Sequence, residues 1–485
     1  MRRERERMNN GADMKKGVII EGGVHEWEIF QQDAHGEAEL RVWGTCHRVR
    51  QEFELPMRFH AVTEGTVTVK ARVALESSGE DVCPWTLCTV HDDSRWEIRF
   101  RVPAGGLYRF ETCMEYEGWD GLSSTRGDMV HNFGVGDIFV VAGQSNAAGR
   151  GKNPVEDAPE LGVHLLRCSG MWDLATHPLG ETTGAKHIGH FENHNPGHTP
   201  WLQFAKLLKR ELGYPIGIVM SAYGGAPLRW WNPAENGALT ENMLAQIAEY
   251  DIHPKGILWY QGEAEGCENA ADTYLERFAA FVGAVRERLG QPRLPIITVQ
   301  LNRCLSPTTP ALDRQWGVVR QAQADAARQI PGVYVVPAND ISVYDFIHNS
   351  AQGDLVIGAR CARCALCELY GRKVEWRAPE IRTAVLTAPD TVEARFEKIE
   401  NWINTFDVAA ELLPIEAEDD EGILPCCSYD SGPDTLTLHF PRPLAGRARL
   451  HGMWRMNPGV CTPCDCMRMP ILSFYGFPVA EKGTP

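Results

Sequence analysis

The sequence predicts an α/β fold, a parallel sheet covered by helices on both faces, set between two β-rich domains. Three patterns predict it. From about residue 17 to 133, apolar residues alternate with polar ones at the two-residue period of a strand. From about 134 to 378, short apolar runs too brief for helices alternate with longer amphipathic segments. From about 379 to 485 the two-residue period returns, and a chain of 485 residues has room for several domains and a large core.

Residues 1–16 read as a disordered polar tail. In the first β domain Val67, Val69, Ala71, Val73 and Leu75 alternate with Thr66, Thr68, Lys70 and Arg72. Trp96, Ile98, Phe100 and Val102 likewise alternate with Arg95, Glu97, Arg99 and Arg101. With turn signals such as Pro103-Ala-Gly-Gly106 between the runs, 17–133 reads as a small antiparallel sandwich. The candidate strands of 134–378 are Ile138–Ala142, Ile216–Met220, Gly256–Tyr260, Ile296–Gln300 and Val333–Val336. Between them, Trp201, Phe204, Ala205, Leu208 and Leu212 share one helical face, as do Tyr274, Phe278, Phe281, Val285 and Leu289. Right-handed crossovers make such a sheet parallel. Residues 151–199 have no clear period and are rich in Gly, Pro, Asn and His, the composition of a long loop rimming a functional site. In 379–485, Leu436, Leu438 and Phe440 alternate with Thr435, Thr437 and His439, and the acidic run Glu416–Glu421 reads as a solvated loop.

A formal net charge of −16 lacks the basic footprint of a nucleic-acid binder, so nucleic acid is not an expected partner. No apolar run approaches the roughly 20 residues that cross a bilayer, so no membrane partner is expected either. The first eight residues carry both signs of charge with no apolar segment after them, which points to a cytoplasmic chain. Fifteen cysteines, an odd number and scattered, fit reduced thiols. Cys361, Cys364 and Cys367, and again Cys461, Cys464 and Cys466, have three of the ligands of a zinc or iron–sulfur site. Neither group has a companion of matching spacing, and both read as structural. His187, His190, His194 and His198 share the long loop, where Gly189, Pro196 and Gly197 break any helix that would align them. They read as polar residues of a rim, not as a metal site.

Four blocks at strand ends carry chemistry. Gly143-Gln-Ser-Asn146 puts a serine in a strand-to-helix turn at the carboxyl edge of the sheet, where open α/β sheets collect ligands. Ser221-Ala-Tyr-Gly-Gly-Ala-Pro227 has glycines that let a backbone N–H face a cleft. Trp259-Tyr-Gln-Gly-Glu263 supplies an amide and a carboxylate, and Asp345-Phe-Ile-His348 brings a carboxylate against an imidazole within one turn. A nucleophilic hydroxyl, a base, an orienting acid and oxyanion donors are what acyl transfer needs.

These blocks resemble those of the SGNH hydrolases, in particular the sialate O-acetylesterase-like branch that also holds acetylxylan esterases. The resemblance extends through Pro295–Leu301, Val319–Gln323 and a helix beginning near Gly358. It implies a flavodoxin-like three-layer catalytic domain. Ser145 would be the nucleophile, His348 the base and Asp345 its orienting acid, with Glu263 as the rival acid. The implied oxyanion donors are the N–H groups of Ser145 and of Gly224 or Gly225, with the Gln261 side chain. Gln144, Asn146, Trp230 and Arg320 are the implied substrate contacts; Trp230 and Trp231 serve equally as core, and Arg320 as a helix-surface ion pair. Ala147 stands where that family commonly has methionine, and Asn349 where it has proline. The expected activity is removal of O-acetyl groups from sialic acids without a cofactor. An oligosaccharide esterase of the same family and a catalytically silent carbohydrate-binding protein are the alternatives. The expected partner is a small acetylated sugar, and the sequence leaves the oligomeric state open.

Overall fold

The computed structural model describes residues 17–47, 67–118, 121–187, 190–191, 196–459 and 461–481. The expected tail at 1–16 and His194 lie outside these residues. The chain forms two compact units, one from residues up to Asp137 with Gly213–Gly217, the other from Ile138–Leu212 with Ile218 onward.

In the first unit, one sheet runs Gly17–Gly22, Glu37–His47, Arg95–Pro103, Thr89–Val90, and its printed pairs are antiparallel. The other is built on Val67–Leu75 between Asp81–Leu87 and Gly105–Gly118, the last pairing antiparallel with Gly121–Gly143. The alternation read from the sequence is the burial pattern. Val69, Ala71, Val73, Trp96, Ile98, Phe100 and Val102 enter one core, each large side chain contributing about 1.5–3 kcal/mol. On the opposite face Arg41–Glu97, Arg99–Glu39 and Arg101–Glu37 pair across strands at 2.7–2.8 Å, exposed contacts worth less than about 1 kcal/mol each.

The second unit holds a sheet in the order Trp172–Leu174, Val163–Leu166, Ile216–Met220, the end of Gly121–Gly143, Gly256–Tyr260, Ile296–Val299, Val333–Val336. The strands from residue 139 to 143, 256 to 260, 296 to 299 and 333 to 336 pair in parallel. The first two strands form an antiparallel hairpin inside the stretch read as structureless loop. Val163-His-Leu-Leu166 is buried on both faces, so it has no alternation to reveal it, and four apolar-rich residues are too few to read as a run. Helices Trp201–Leu212 and Tyr274–Arg288 are amphipathic as expected. The helix placed near Gly358 begins seven residues earlier, at Ala351, where the Ser350 hydroxyl accepts from Gly353 N. Gly358 is mid-helix: a Cβ there would lie 2.3 Å from Pro200 O, so glycine is what lets Ala351–Glu368 pack on Trp201–Leu212. Cys361 and Cys364 are buried on this helix and burial raises both thiols, in keeping with a structural role.

From residue 380 onward two small sheets enclose an apolar core of their own, including Val392, Phe396, Ile415, Leu436, Leu438 and Leu450. The acidic run is not a solvated loop. Ile415–Asp419 is a strand with Ile415, Ala417 and Asp419 turned inward, and Asp419 is paired with Arg442 at 2.6 Å. Strand alternation explains this: Glu416 and Glu418 share the less buried face, while Asp419 turns inward to a guanidinium and only Asp420 and Glu421 lie in an exposed turn. A polar seam joins this part to the central sheet. Gln300 and Ser473 exchange hydrogen bonds of 3.0 and 2.9 Å, and Asn339 donates to Ile471 O at 2.9 Å. Arg320, expected at the substrate, is fully buried in the seam. It donates to the carbonyls of Leu301, Asn302, Met453, Trp454 and Arg455, so neither a sugar contact nor a surface ion pair is its role. No helix among the described residues is long and apolar enough to cross a membrane.

Candidate active site

The site begins where a strand must stop. Gly143 closes its strand at φ +129°, and a Cβ there would sit 2.1 Å from Tyr260 O, so only glycine fits. Gln144 N donates to Tyr260 O at 2.9 Å, and a one-turn helix then starts at Ser145. Ser221 N and Tyr223 N donate to Val141 O and Gly143 O, which brings the Ser221–Pro227 block beside this turn. Gly225 there is exposed and Gly224 buried.

The loop Asp345–His348 closes on itself as its spacing predicts. Asp345 Oδ1 accepts from the backbone N–H of Ile347 and His348, each at 2.8 Å, while Oδ2 meets His348 Nδ1 at 2.7 Å. Burial alone would raise the Asp345 carboxyl; those two amides and the imidazole outweigh it and hold the group below its ordinary value. Both side chains keep solvent access, 34% for Asp345 and 20% for His348.

Asn146 ties this loop to the serine turn. Its Oδ1 accepts from Asn349 N at 3.0 Å and its Nδ2 donates to Ile347 O at 3.4 Å, so the residue after Ser145 holds both neighbours of His348. Among the described residues no hydrogen bond joins the Ser145 hydroxyl to the His348 ring, and His348 Nε2 has no partner. Asn349 explains its own departure from proline. Its N–H is the donor to Asn146, which proline lacks, and its side chain joins Asn302, Tyr260 and Asp354.

Several expected contacts take other partners. Glu263 accepts from Asn146 at 2.6 Å and does not pair with His348; burial pushes its carboxyl up to about 7. Gln144 Oε1 accepts from Gly262 N and Ala264 N, and Asn146 is held in the clamp through both ends of its amide, so the hydrogen bonds of both go to the scaffold of the turn. The Gln261 amide donates inward to Glu265 and to Ala226 O, so it is not an oxyanion donor facing the cleft. Glu265 also accepts from Leu228 N, and the pair therefore braces the Gly224–Pro227 block. Trp230 is half-buried, edge-on to Tyr223 at 6.1 Å, while Trp231 is core against Trp259.

Sequence reasoning missed a buried cluster behind the site. Asp157 Oδ2 lies 2.9 Å from both His177 Nε2 and His198 Nε2, and His198 Nδ1 lies 3.2 Å from Asp354 Oδ2. These three ligand atoms on Asp157, His177 and His198 have the spacing of a metal site, but the Lys206 ammonium already sits on the same Asp157 carboxylate. Burial works against a charged His198, yet the two flanking carboxylates raise it to about 8. Of the four loop histidines, His187 reaches Glu249 and packs edge-on against His190 at 5.9 Å, His190 is buried against Asn242 and Ser221, and His198 stands apart with Asp157 and Asp354.

A family model described as carbohydrate esterase, sialic acid-specific acetylesterase, matches residues 135–367. A probable carbohydrate esterase of Arabidopsis thaliana is 30% identical over 186 residues, covering 34% of this chain and 68% of that protein. The chain belongs to this family of carbohydrate esterases, hydrolases that act on esters. Human sialate O-acetylesterase is 24% identical over 266 residues, 46% of this chain and 47% of that protein, so the chain spans about half the length of that relative. The fold is that of a carbohydrate acetylesterase from Xanthomonas citri, with TM-score 0.61, 19% identity and coverage of 94% of this chain and 99% of the other.

Proposed function

We propose that the protein removes O-acetyl groups from carbohydrates, with sialic acids as the acetylated sugar, using Ser145 as nucleophile, His348 as base and Asp345 as the acid that orients it. The observation that carries this reading is the 2.7 Å contact of Asp345 with His348, in a loop that Asn146 ties to the residue beside Ser145. The carboxylate on Nδ1 fixes the tautomer that leaves Nε2 able to accept a proton. Ser145 Oγ bonds to the acetyl carbonyl carbon as Nε2 takes its proton. The oxyanion is received by the N–H groups of Ser145 and of Gly224 or Gly225. Its collapse breaks the bond to the sugar oxygen, which takes the proton from His348. Water, deprotonated by the same imidazole, then releases acetate and restores the serine.

In this reading residues 134–378 form a flavodoxin-like SGNH domain, 17–133 and 379–485 are its β-rich flanks, and the chain works in the cytoplasm on imported, soluble sugars. Hydrolysis of an activated aryl acetate tests the chemistry. Ser145→Ala is expected to lower the rate about 10^6-fold with an unchanged melting temperature. An undiminished rate in that variant rules the mechanism out. Acetate release from a panel of O-acetylated sialic acids and xylo-oligosaccharides tests the substrate.

A further inference from the structure

After the strand Ile296–Val299 the chain carries Arg303 inward, to 6% exposure. Its Nη2 donates to Asn339 O at 2.9 Å, but its Nε is buried with no partner; the carboxylate whose charge reaches it, Asp340, is bonded instead to Arg360 at 2.7–2.8 Å. Arg303 lies near enough to Arg320 for its charge to act on that guanidinium, whose hydrogen bonds all go to carbonyls. Arg455, by contrast, has Glu416 and Asp313. A buried cation with no carboxylate bonded to it is costly, and native proteins rarely leave one. This chain carries 64 acidic residues against 48 basic ones, so acids were not scarce. A guanidinium kept unpaired and boxed in by polar backbone suits a carboxylate that arrives from outside.

There is room for the molecule that would bring it. Arg303 lines a cavity of about 420 Å³ together with Leu305, Leu413 and Trp454, within the size range of small-molecule sites; of the two glutamates on its wall, Glu416 is neutralised by Arg455 at 2.9 Å and Glu411 is exposed to solvent. The cavity adjoins the candidate active site: Leu305 N donates to Phe346 O at 2.6 Å, two residues before His348. Its far wall comes from the β region after residue 380, which gives that region a part in recognition.

We propose that this cavity is a subsite for an acidic sugar, with Arg303 holding the sugar carboxylate while the acetyl ester lies at Ser145. The proposal rests on the esterase reading above for the second half of that statement only. Two acidic sugars share the chemistry, sialic acids and uronic acids, and the assay separates them.

Rates are measured on O-acetylated N-acetylneuraminate, on an acetylated xylo-oligosaccharide bearing glucuronate, and on its neutral counterpart. Binding of non-acetylated N-acetylneuraminate and of glucuronate is measured by calorimetry. The wild type is expected to prefer one acidic substrate over the neutral one. In Arg303→Met the acidic-to-neutral ratio of kcat/KM should fall about 10- to 100-fold, the scale of a lost charge-assisted contact, through KM. Arg303→Lys should recover part of it, and calorimetric binding of the preferred free acid should vanish in Arg303→Met. If Arg303→Met does not fold, Leu305→Trp, a change at a half-exposed wall residue, decides: a lowered ratio supports the subsite and an unchanged one overturns it. No acid preference in the wild type, or an unchanged ratio in folded Arg303→Met, also overturns it. A wild type that releases no acetate yet binds the free acid through Arg303 ends the esterase reading and keeps the subsite.

Discussion

Two aspartate–histidine assemblies lie on either side of Asn349, and they are built for opposite ends. Asp345 and His348 are three residues apart, half-exposed, and leave Nε2 of the ring uncommitted among the described residues. Asp157, His198 and Asp354 come from distant parts of the chain, are buried, and use both nitrogens of the His198 ring on carboxylates. The same two side-chain types thus leave one ring nitrogen open in the first pair, as the proposed chemistry needs, and commit both in the second. Asn349 links them, donating through its backbone to Asn146 and through its side chain to Asp354.

Substitutions should break this contrast in a definite order. His348→Ala removes the proposed base and is expected to lower aryl acetate turnover about 10^6-fold, with little change in a thermal melt. Asp345→Asn, which keeps the shape but loses the charge on Nδ1, is expected to cost about 10^4-fold in kcat, again without loss of stability. If Glu263→Gln shows that drop and Asp345→Asn does not, Glu263 is the orienting acid. His198→Leu should act the other way. It leaves the buried Asp354 with no cation, while Asp157 keeps Lys206 and His177, and should cost about 3–5 kcal/mol in a denaturant titration, with the smaller effect on turnover.

The mildest test uses pH. Burial lifts the Glu263 carboxyl from an ordinary 4.5 to about 7, so the folded chain keeps a proton that the unfolded chain releases. Its contribution, on the order of 3 kcal/mol, is full at acid pH and is lost as pH rises through about 7. Glu263→Gln keeps an acceptor for Asn146 and should flatten that part of the stability–pH curve. An unchanged slope would mean that the carboxyl is already ionised in the folded protein.

What the sequence revealed follows the range of each interaction. The Asp345–His348 contact was legible because an i, i+3 spacing fixes it locally, and the parallel strands because their apolar runs are bounded by turn residues. The clamp of Asn146 on Asn349 spans 203 positions, and the reach of Arg320 to Met453–Arg455 spans 133 to 135, so no local pattern announces either. Polar residues in such a stretch look like site residues, as Gln144, Asn146 and Arg320 do for substrate and Gln261 for the oxyanion, although the bonds they make here go to the chain itself. Their actual work is to satisfy buried backbone groups, a demand visible only once the chain has folded.

The seam at Arg320 bears on how this protein can be divided. Cutting the chain near residue 378 would strip away three of the five carbonyls around that guanidinium and the serine that answers Gln300. The fragment would carry a stranded cation in its interior, so an expression length chosen from the family match alone invites an insoluble product.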